Sequence, residues 1–395
     1  MSIEARSKPS SPALLQCKIL VADDDPTNRF FIDQILKQCG FSDVRMATDG
    51  YEALEQLIVA PPDIFILDIV MPNLDGFALC ARLRADERFT DLPILIQTGL
   101  DSASDRAEAF RCGATDLVTK PINPDELVAR ISLLLEKRLL IEMLSAYQRR
   151  TQEELLLAQE MQRDLLPSPE ALSAIRLRYG IDVAGYVSPC SEIGGDLWGI
   201  GEIDATLIGF YALDFSGHGI GAALNTFRIQ TLIGECWALA DNPARFLGSL
   251  NDRLCRILSL GQFATMLYGT IDIQTMSLTF AAAGSPAPAL TGARGETSCL
   301  LDGSGLPLGL SSDICYSNRH AALSSGSALF LASDAIIDSP DPRRRGFNPG
   351  EFLSLATRAA KERDAVAATA AIVAEFERGQ VGPPIDDVTV MCLRF

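Results

Sequence analysis

Between about Asp125 and Leu166 the chain carries no glycine and, after Pro124, no proline, and it is rich in Leu, Glu, Gln and Arg. Nothing there interrupts the backbone ladder and most of its residues are good helix formers, so one long helix is predicted. Pro167 and Pro169 close it. Leu127, Leu134, Ile141, Leu144, Leu155, Ala158 and Leu165 fall on one alternating 3/4 register, interrupted by Arg130, Lys137, Gln148, Thr151 and Gln162. The pattern reads as an imperfect parallel two-stranded coiled coil; an amphipathic helix packed on its own chain is the alternative.

The helix separates two regions of different rhythm. From Lys18 to about Leu135, the apolar runs KILVA, VRMAT, DIFILD, PILIQT and ATDLVT alternate with short helix-period segments. This is the pattern of a flavodoxin-like α/β domain with a five-stranded parallel sheet. From about Arg176 to Phe395, the alternating runs IDVAGYV, TLIGFYALDF, TMLYGTIDI, SLTFAAAG, SALFLAS and DVTVMCLRF are read as strands. Helical stretches at 221–239, 242–260 and 349–378 interrupt them, which predicts an α/β sandwich of mainly antiparallel sheets.

Composition narrows the function. The 395 residues suit two or three domains, and 48% hydrophobic with 22% charged residues is a globular balance. With 51 acidic against 34 basic residues the net charge is −17, which argues against nucleic acid as a partner. No apolar run is long enough to span a membrane, and the first 16 residues lack the apolar core of a signal peptide, so a mobile tail and a cytoplasmic location are expected. Ten scattered cysteines without a C-x-x-C pair, and only His218 and His320 beside them, exclude a zinc site and predict reduced, buried thiols. Any metal must therefore rest on oxygen ligands, which points to magnesium or manganese.

Carboxylates gather at two places. Asp23 and Asp24 follow the first strand, Asp68 closes the third, Thr98 ends the fourth and Lys120 the fifth. In a parallel sheet these carboxyl ends meet at the topological switch point. Acids this close repel unless a divalent cation neutralises them, and a carboxylate beside magnesium and a lysine is a good phosphoryl acceptor. The motifs DDDP, LDIVMPNLDG and TKP, spaced 44, 30 and 22 residues between Asp24, Asp68, Thr98 and Lys120, resemble a response-regulator receiver domain. The resemblance implies Asp68 as phosphoacceptor, Asp23, Asp24, Asp68 and the Val70 carbonyl around Mg2+, and Thr98 and Lys120 on the phosphoryl oxygens. It also implies a cis bond at Lys120–Pro121. Leu117 replaces the family's usual aromatic, which puts its aromatic readout in doubt. Asp25 is expected to face solvent or to cap the next helix.

In the second region Asp196, Asp214, Asp334 and Asp386-Asp387 each stand at the start or end of a predicted strand beside small residues. Four carboxylates with no histidine ligand suit two hard cations about 4 Å apart, which acidify a bridging water for attack on a phosphoester. The ordered series GGD, DFSGHGIGAAL, FATMLYGTID, AAGSPAPAL, GLPLGL, LASDAIID and DDVTVMCLRF resembles the PPM (type 2C) serine/threonine phosphatases of the SpoIIE-like branch. That resemblance implies Asp196, Asp214, the Phe215 carbonyl, Asp334 and Asp386 around two Mn2+ or Mg2+, with Asp387 and Gly195 as accessories. Ser285, Ala335 and Asp338 depart from the family pattern without removing a metal carboxylate. His218 is assigned a structural or substrate-contact role; Trp198 and Trp237 are packing residues, and Arg343-Arg344-Arg345 a solvated loop.

Together the resemblances imply a mobile tail over 1–16, a receiver over 17–135, a linker helix over 125–166 and a phosphatase over 170–395. Phosphorylation of Asp68 by a cognate sensor histidine kinase or phosphotransfer protein would control hydrolysis of a phosphoserine or phosphothreonine on a protein. The implied substrate is a STAS-domain anti-sigma-factor antagonist, and a homodimer is expected. A non-catalytic scaffold that binds a phosphoprotein is the rival. GGDLW lacks the acid and phenylalanine of a nucleotide cyclase, and no basic recognition helix supports a DNA-binding output.

Overall fold

The computed structural model describes residues 11–99, 103–217, 219–293, 297–337, 346–380, 382 and 384–395. The chain divides into two units, Met1–Thr151 and Gln152–Phe395.

In the first unit β1 (Lys18–Ala22), β2 (Asp43–Ala47), β3 (Ile64–Asp68), β4 (Ile94–Thr98) and β5 (Asp116–Thr119) form a parallel sheet in the order β2-β1-β3-β4-β5. Every residue of β3 and β4 is buried, because helices cover both faces, and this is why those strands read as unbroken apolar runs. The helices α1 (Pro26–Cys39), α2 (Gly50–Val59), α3 (Gly76–Arg84) and α4 (Ala103–Arg111) alternate with the strands. Asp25, Asp49 and Asp75 cap the first three through their side-chain oxygens. Asp25 thus takes the capping role anticipated for it.

Of the tail expected over 1–16, residues 1–10 lie outside the described residues, and the rest is ordered. Pro12–Gln16 forms a 3-10 turn, and Leu14 is buried in the same core as Ile19, Ile35 and Leu127. A leucine with that much apolar surface to remove from water ties the segment down.

The long helix α5 runs from Pro124 to Arg163, 40 residues without a break. Its first turns bury Leu127, Val128, Ile131, Leu134 and Leu135 on the sheet. Leu127 and Leu134 therefore do not belong to a seam between chains, and the register read from the sequence fails there. Leu133, Leu140, Leu144 and Tyr147 are exposed on the opposite face of the helix, and Ile141, a position of that register, is exposed as well, as is Met143.

The second unit has two five-stranded sheets. One has the order β13-β10-β9-β8-β7 and the other β12-β11-β14-β15-β6. The strands are β6 (Asp182–Ser188), β7 (Leu197–Glu202), β8 (Leu207–Phe215), β9 (Ala264–Asp272), β10 (Ser277–Ala283), β11 (Ala289–Thr291), β12 (Cys299–Leu300), β13 (Arg319–Ala322), β14 (Ala328–Ala332) and β15 (Val388–Arg394), with all pairings antiparallel. Alternation along the strands sends Trp198, Phe210, Leu267 and Phe280 of the first sheet against Leu329, Leu331, Met391 and Leu393 of the second. The opposite faces are covered by α7 (Ile220–Cys236) and α8 (Pro243–Ile257) on the first sheet and by α9 (Pro349–Ala359) and α10 (Ala365–Arg378) on the second.

Several elements differ from the sequence reading, among them the short strands β11, β12 and β13, which it did not include. The helix expected over 349–378 is two helices, because Asp364 starts a new one by accepting from Ala367 N at 2.7 Å. Pro169–Tyr179 is a helix, α6, begun by Ser168 and the proline and ended by Gly180 in the left-handed region. Strand β7 has no counterpart in the sequence reading because Gly199 and Gly201 dilute its pattern. A Cβ on Gly199 would lie 2.4 Å from the Tyr211 ring and one on Gly201 2.8 Å from Trp237, so aromatic rings occupy the space that side chains would need.

Among the described residues no helix is long and apolar enough to cross a membrane. Cys17, Cys39, Cys80, Cys236 and Cys392 are buried as expected, but Cys299 and Cys315 are exposed.

Candidate functional site

The parallel sheet brings its carboxyl ends together as expected. Asp23 and Asp68 are buried and Asp24 is exposed, with one ligand oxygen of each within 4.8 Å of the others. Lys120 Nζ lies 3.0 Å from Asp23 Oδ2 and 2.8 Å from Asp68 Oδ2. Burial works against the Lys120 charge, but the two carboxylates outweigh it and raise its pKa. Burial also raises Asp68, and Lys120 offsets part of that. The Lys120–Pro121 bond is cis, and Lys120 N donates to Thr98 O at 2.7 Å, so the lysine leaves the sheet beside Thr98. Thr98 is buried, Leu117 is half-buried and Val70 is exposed. Asp23 Oδ1 accepts from Asp25 N at 2.9 Å, and Arg29 donates to the Asp23 and Asp24 carbonyls. Both contacts hold the acidic turn in shape.

In the second unit antiparallel pairing brings the end of one strand to the start of its neighbour. Asp196 precedes β7 while Asp214 is next to last in β8, and Asp334 follows β14 while Asp387 precedes β15. Asp196 is two residues before Trp198 and Asp214 four after Phe210, so both point into the space between the sheets. Asp196, Asp214 and Asp334 line one narrow cavity of about 30 Å³ with Ser285, Ser333 and Thr389. Burial, then the neighbouring Asp214 charge, push Asp196 well above the ordinary carboxylate range. Burial and then Asp334 raise Asp214 to about 7, and Asp334 shifts the same way through burial and Asp386. These shifts reflect burial first and the crowding of negative charge second.

Asp386 does not line that cavity. It groups with Asp387 and the Cys190 thiol, their ligand atoms within 4.8 Å of one another. Burial, then Asp387, push the Cys190 thiol up to about 12, so it stays protonated. Asp387 is itself spoken for: its two oxygens accept from Cys190 N at 2.8 Å and Gly195 N at 2.5 Å. It anchors the loop that carries Asp196. The loop contact also explains the paired glycines, since a Cβ on Gly194 would lie 2.3 Å from Asp387 Oδ2 and one on Gly195 3.0 Å from Phe215 O. Ser216 Oγ accepts from Phe263 N at 3.0 Å, which gives it a structural partner. His218, Asp338 and Arg343-Arg344-Arg345 lie outside the described residues.

The residues fit divalent cations. Asp196 Oδ2 is buried with no hydrogen-bond partner, as are Ser285 Oγ and Thr389 Oγ1 on the same cavity. A buried carboxylate oxygen left unpaired beside a second raised carboxyl is costly unless a cation meets it. Asp23, Asp24 and Asp68 present an all-oxygen set suited to Mg2+.

Comparison with known proteins agrees with this division. Residues 19–132 match the response regulator receiver domain family, and residues 204–395 match the family described as stage II sporulation protein E (SpoIIE). The chain therefore joins a receiver domain of the response-regulator family to a SpoIIE-type phosphatase domain. It is similar to the DNA-binding dual master transcriptional regulator RpaA of a Synechocystis species, with 38% identity over 120 residues, 30% of this chain and 49% of RpaA. The chain spans about half the length of the curated relatives it matches. Among solved structures it is similar to the SiaA-PP2C domain of Pseudomonas aeruginosa, with 25% identity, a TM-score of 0.55, and coverage of 64% of this chain and 99% of that one. The Francisella response regulator 1452 receiver domain is 35% identical, with a TM-score of 0.29 over 31% of this chain and 98% of its own. The SpoIIE match begins at residue 204, so the assignment of Asp196 rests on the geometry of the cavity.

Proposed function

We propose that the protein is a two-component response regulator whose output is a metal-dependent phosphoserine/phosphothreonine protein phosphatase. Within it we assign a receiver over 17–135, a linker helix over 125–166 and a phosphatase over 170–395. The observation that carries the reading is the cavity shared by Asp196, Asp214 and Asp334, with Asp196 Oδ2 buried and unpaired.

In the receiver, Asp68 accepts a phosphoryl group from the phosphohistidine of a sensor kinase or phosphotransfer protein. Lys120, already 2.8 Å from Asp68 Oδ2, offsets charge on the incoming oxygens, and Thr98 closes the other side. Asp23, Asp24, Asp68 and the Val70 carbonyl hold Mg2+.

In the phosphatase, bound Mn2+ or Mg2+ supplies charge neutralisation for the phosphoester and an acidified water. Asp196, Asp214 and Asp334 on the cavity, Asp386 from beside it, close enough for its charge to act on Asp334, and the Phe215 carbonyl hold the cations, while Asp387 and Gly195 keep the Asp196 loop in place. The substrate is a phosphorylated protein, of which a STAS-domain anti-sigma-factor antagonist is the resemblance-based candidate. Only 49% of RpaA is covered, so the DNA binding in its name is not carried over to this chain. Leu140, Leu144 and Tyr147 of α5 form the dimer seam.

The test is release of phosphate from a phosphoserine peptide with manganese, with and without an acyl phosphate donor. Wild type is expected to turn over and to change rate with the donor, Asp214→Asn to lose turnover, and Asp68→Asn to lose the donor response. Manganese binding without turnover would establish the scaffold instead, and identical donor responses in wild type and Asp68→Asn would overturn the coupling.

A further inference from the structure

Gln162 enters the sequence as a polar interruption of an apolar register. In the structure it does something else. Its Nε2 donates to Gly194 O at 2.7 Å and its Oε1 accepts from Gly194 N at 3.2 Å, so one carboxamide straddles both backbone groups of a single residue. The same Nε2 reaches Thr226 Oγ1 of α7 at 3.2 Å, and that hydroxyl donates to Ala223 O at 2.7 Å. Thr226 is fully buried, so the far end of the contact is fixed. One turn back along α5, Gln159 Nε2 donates to Glu192 O at 2.5 Å.

On its other side the loop is held by Asp387, which takes Cys190 N and Gly195 N. Residues 190–195 therefore lie between a carboxamide and a carboxylate, and Asp196 is the next residue. A cavity of about 100 Å³ between the end of α5 and this loop is lined by Gln159, Gln162, Glu192 and Asp196, so the helix end and the acid border one space. The loop has little freedom to settle elsewhere, because Gly194 already touches Asp387.

Glutamine suits the position for a chemical reason. A carboxamide presents a donor and an acceptor at one tip, whereas glutamate only accepts and lysine or arginine only donates. Gly194 offers one of each.

We propose that Gln162 is a positioning residue for the phosphatase site, clamping Gly194 against the Asp387 anchor so that the Asp196 carboxylate stands where a cation needs it. This rests on the phosphatase reading. Outer-shell partners that orient metal ligands typically contribute about 10–100-fold in metal affinity.

The experiment titrates MnCl2 into the full chain and follows tryptophan fluorescence. Both tryptophans, Trp198 and Trp237, lie in the phosphatase unit, so the receiver site is silent in this signal. Half-saturation of Gln162→Ala is expected at about tenfold higher manganese than wild type or more, with turnover recovering at saturating metal. Gln148→Ala, an exposed interruption of the same register, is expected to titrate as wild type does. Where Gln162→Ala loses the fold by circular dichroism, the near-isosteric Gln162→Glu carries the test. It keeps one contact and sets a carboxylate against Gly194 O, so a similar shift is expected. A variant that folds and titrates as wild type overturns the positioning role. A wild type with neither a manganese response nor turnover overturns the phosphatase reading itself.

Discussion

Gly194 has no room for a side chain, and its neighbour Gly195 has little. At Gly194 the reason is Asp387, whose carboxylate satisfies two backbone amides 192 and 197 residues away in sequence; at Gly195 it is Phe215 and Ala222. Gly194→Ala is expected to displace Asp196 and to cost turnover by about 10²-fold, the scale of a 1 Å misplacement. Gly248→Ala, in α8 where a Cβ would meet nothing within 4 Å, is the control and is expected to leave turnover unchanged. Asp387→Ala leaves two amides without their acceptor. It is expected to destabilise this unit by about 1–3 kcal/mol per uncompensated amide, read as a lower urea midpoint in tryptophan fluorescence. The aspartates themselves were legible from their places beside small residues. The anchoring role of Asp387 was not, because no local pattern distinguishes a carboxylate that meets a metal from one that meets two distant amides.

Among the elements, α5 changes allegiance along its length. Leu134 is 7% exposed and sits in the receiver core, whereas Leu144 is 58% exposed. Leu134→Ala is expected to destabilise the receiver by about 2–5 kcal/mol, the usual cost of truncating a buried leucine, and to leave the oligomeric state alone. Leu144→Ser is expected to do the reverse, shifting a dimer toward monomer in sedimentation at micromolar concentration; unchanged sedimentation would remove Leu144 from the seam. The helix was legible because it lacks breakers, but its faces were not. A heptad register and a helix packed on a sheet draw on the same 3/4 spacing, and only the position of the sheet separates them. Strand β7 was hidden for a related reason: its glycines make room for Tyr211 and Trp237, which reach it from other elements.

Across the full chain, whose net charge is −17, two sites place carboxylates side by side. Manganese is therefore expected to stabilise the phosphatase unit. At a hundredfold excess over the dissociation constant, linkage gives about 2.7 kcal/mol, or roughly 5–10 °C in the unfolding temperature of a domain of this size. A chelator should reverse the shift, and an unfolding temperature indifferent to manganese would count against the cavity as a cation site. Asp214→Asn is expected to reduce the shift, since it removes one of the two facing carboxylates.

The two families, the parallel order of one unit, the antiparallel sandwich of the other, and the acids at strand ends can all be read from the amino acids alone. They follow from local periodicity and from motifs a few residues long. The folded chain was needed to set Asp386 apart from the cavity lined by Asp196, Asp214 and Asp334, to make Asp387 the anchor of a loop, and to bring Gln162 to the opposite side of that loop. A polar side chain acquires its role from the donor or acceptor it meets. Here those partners come from segments up to 197 residues apart, beyond the reach of any spacing rule.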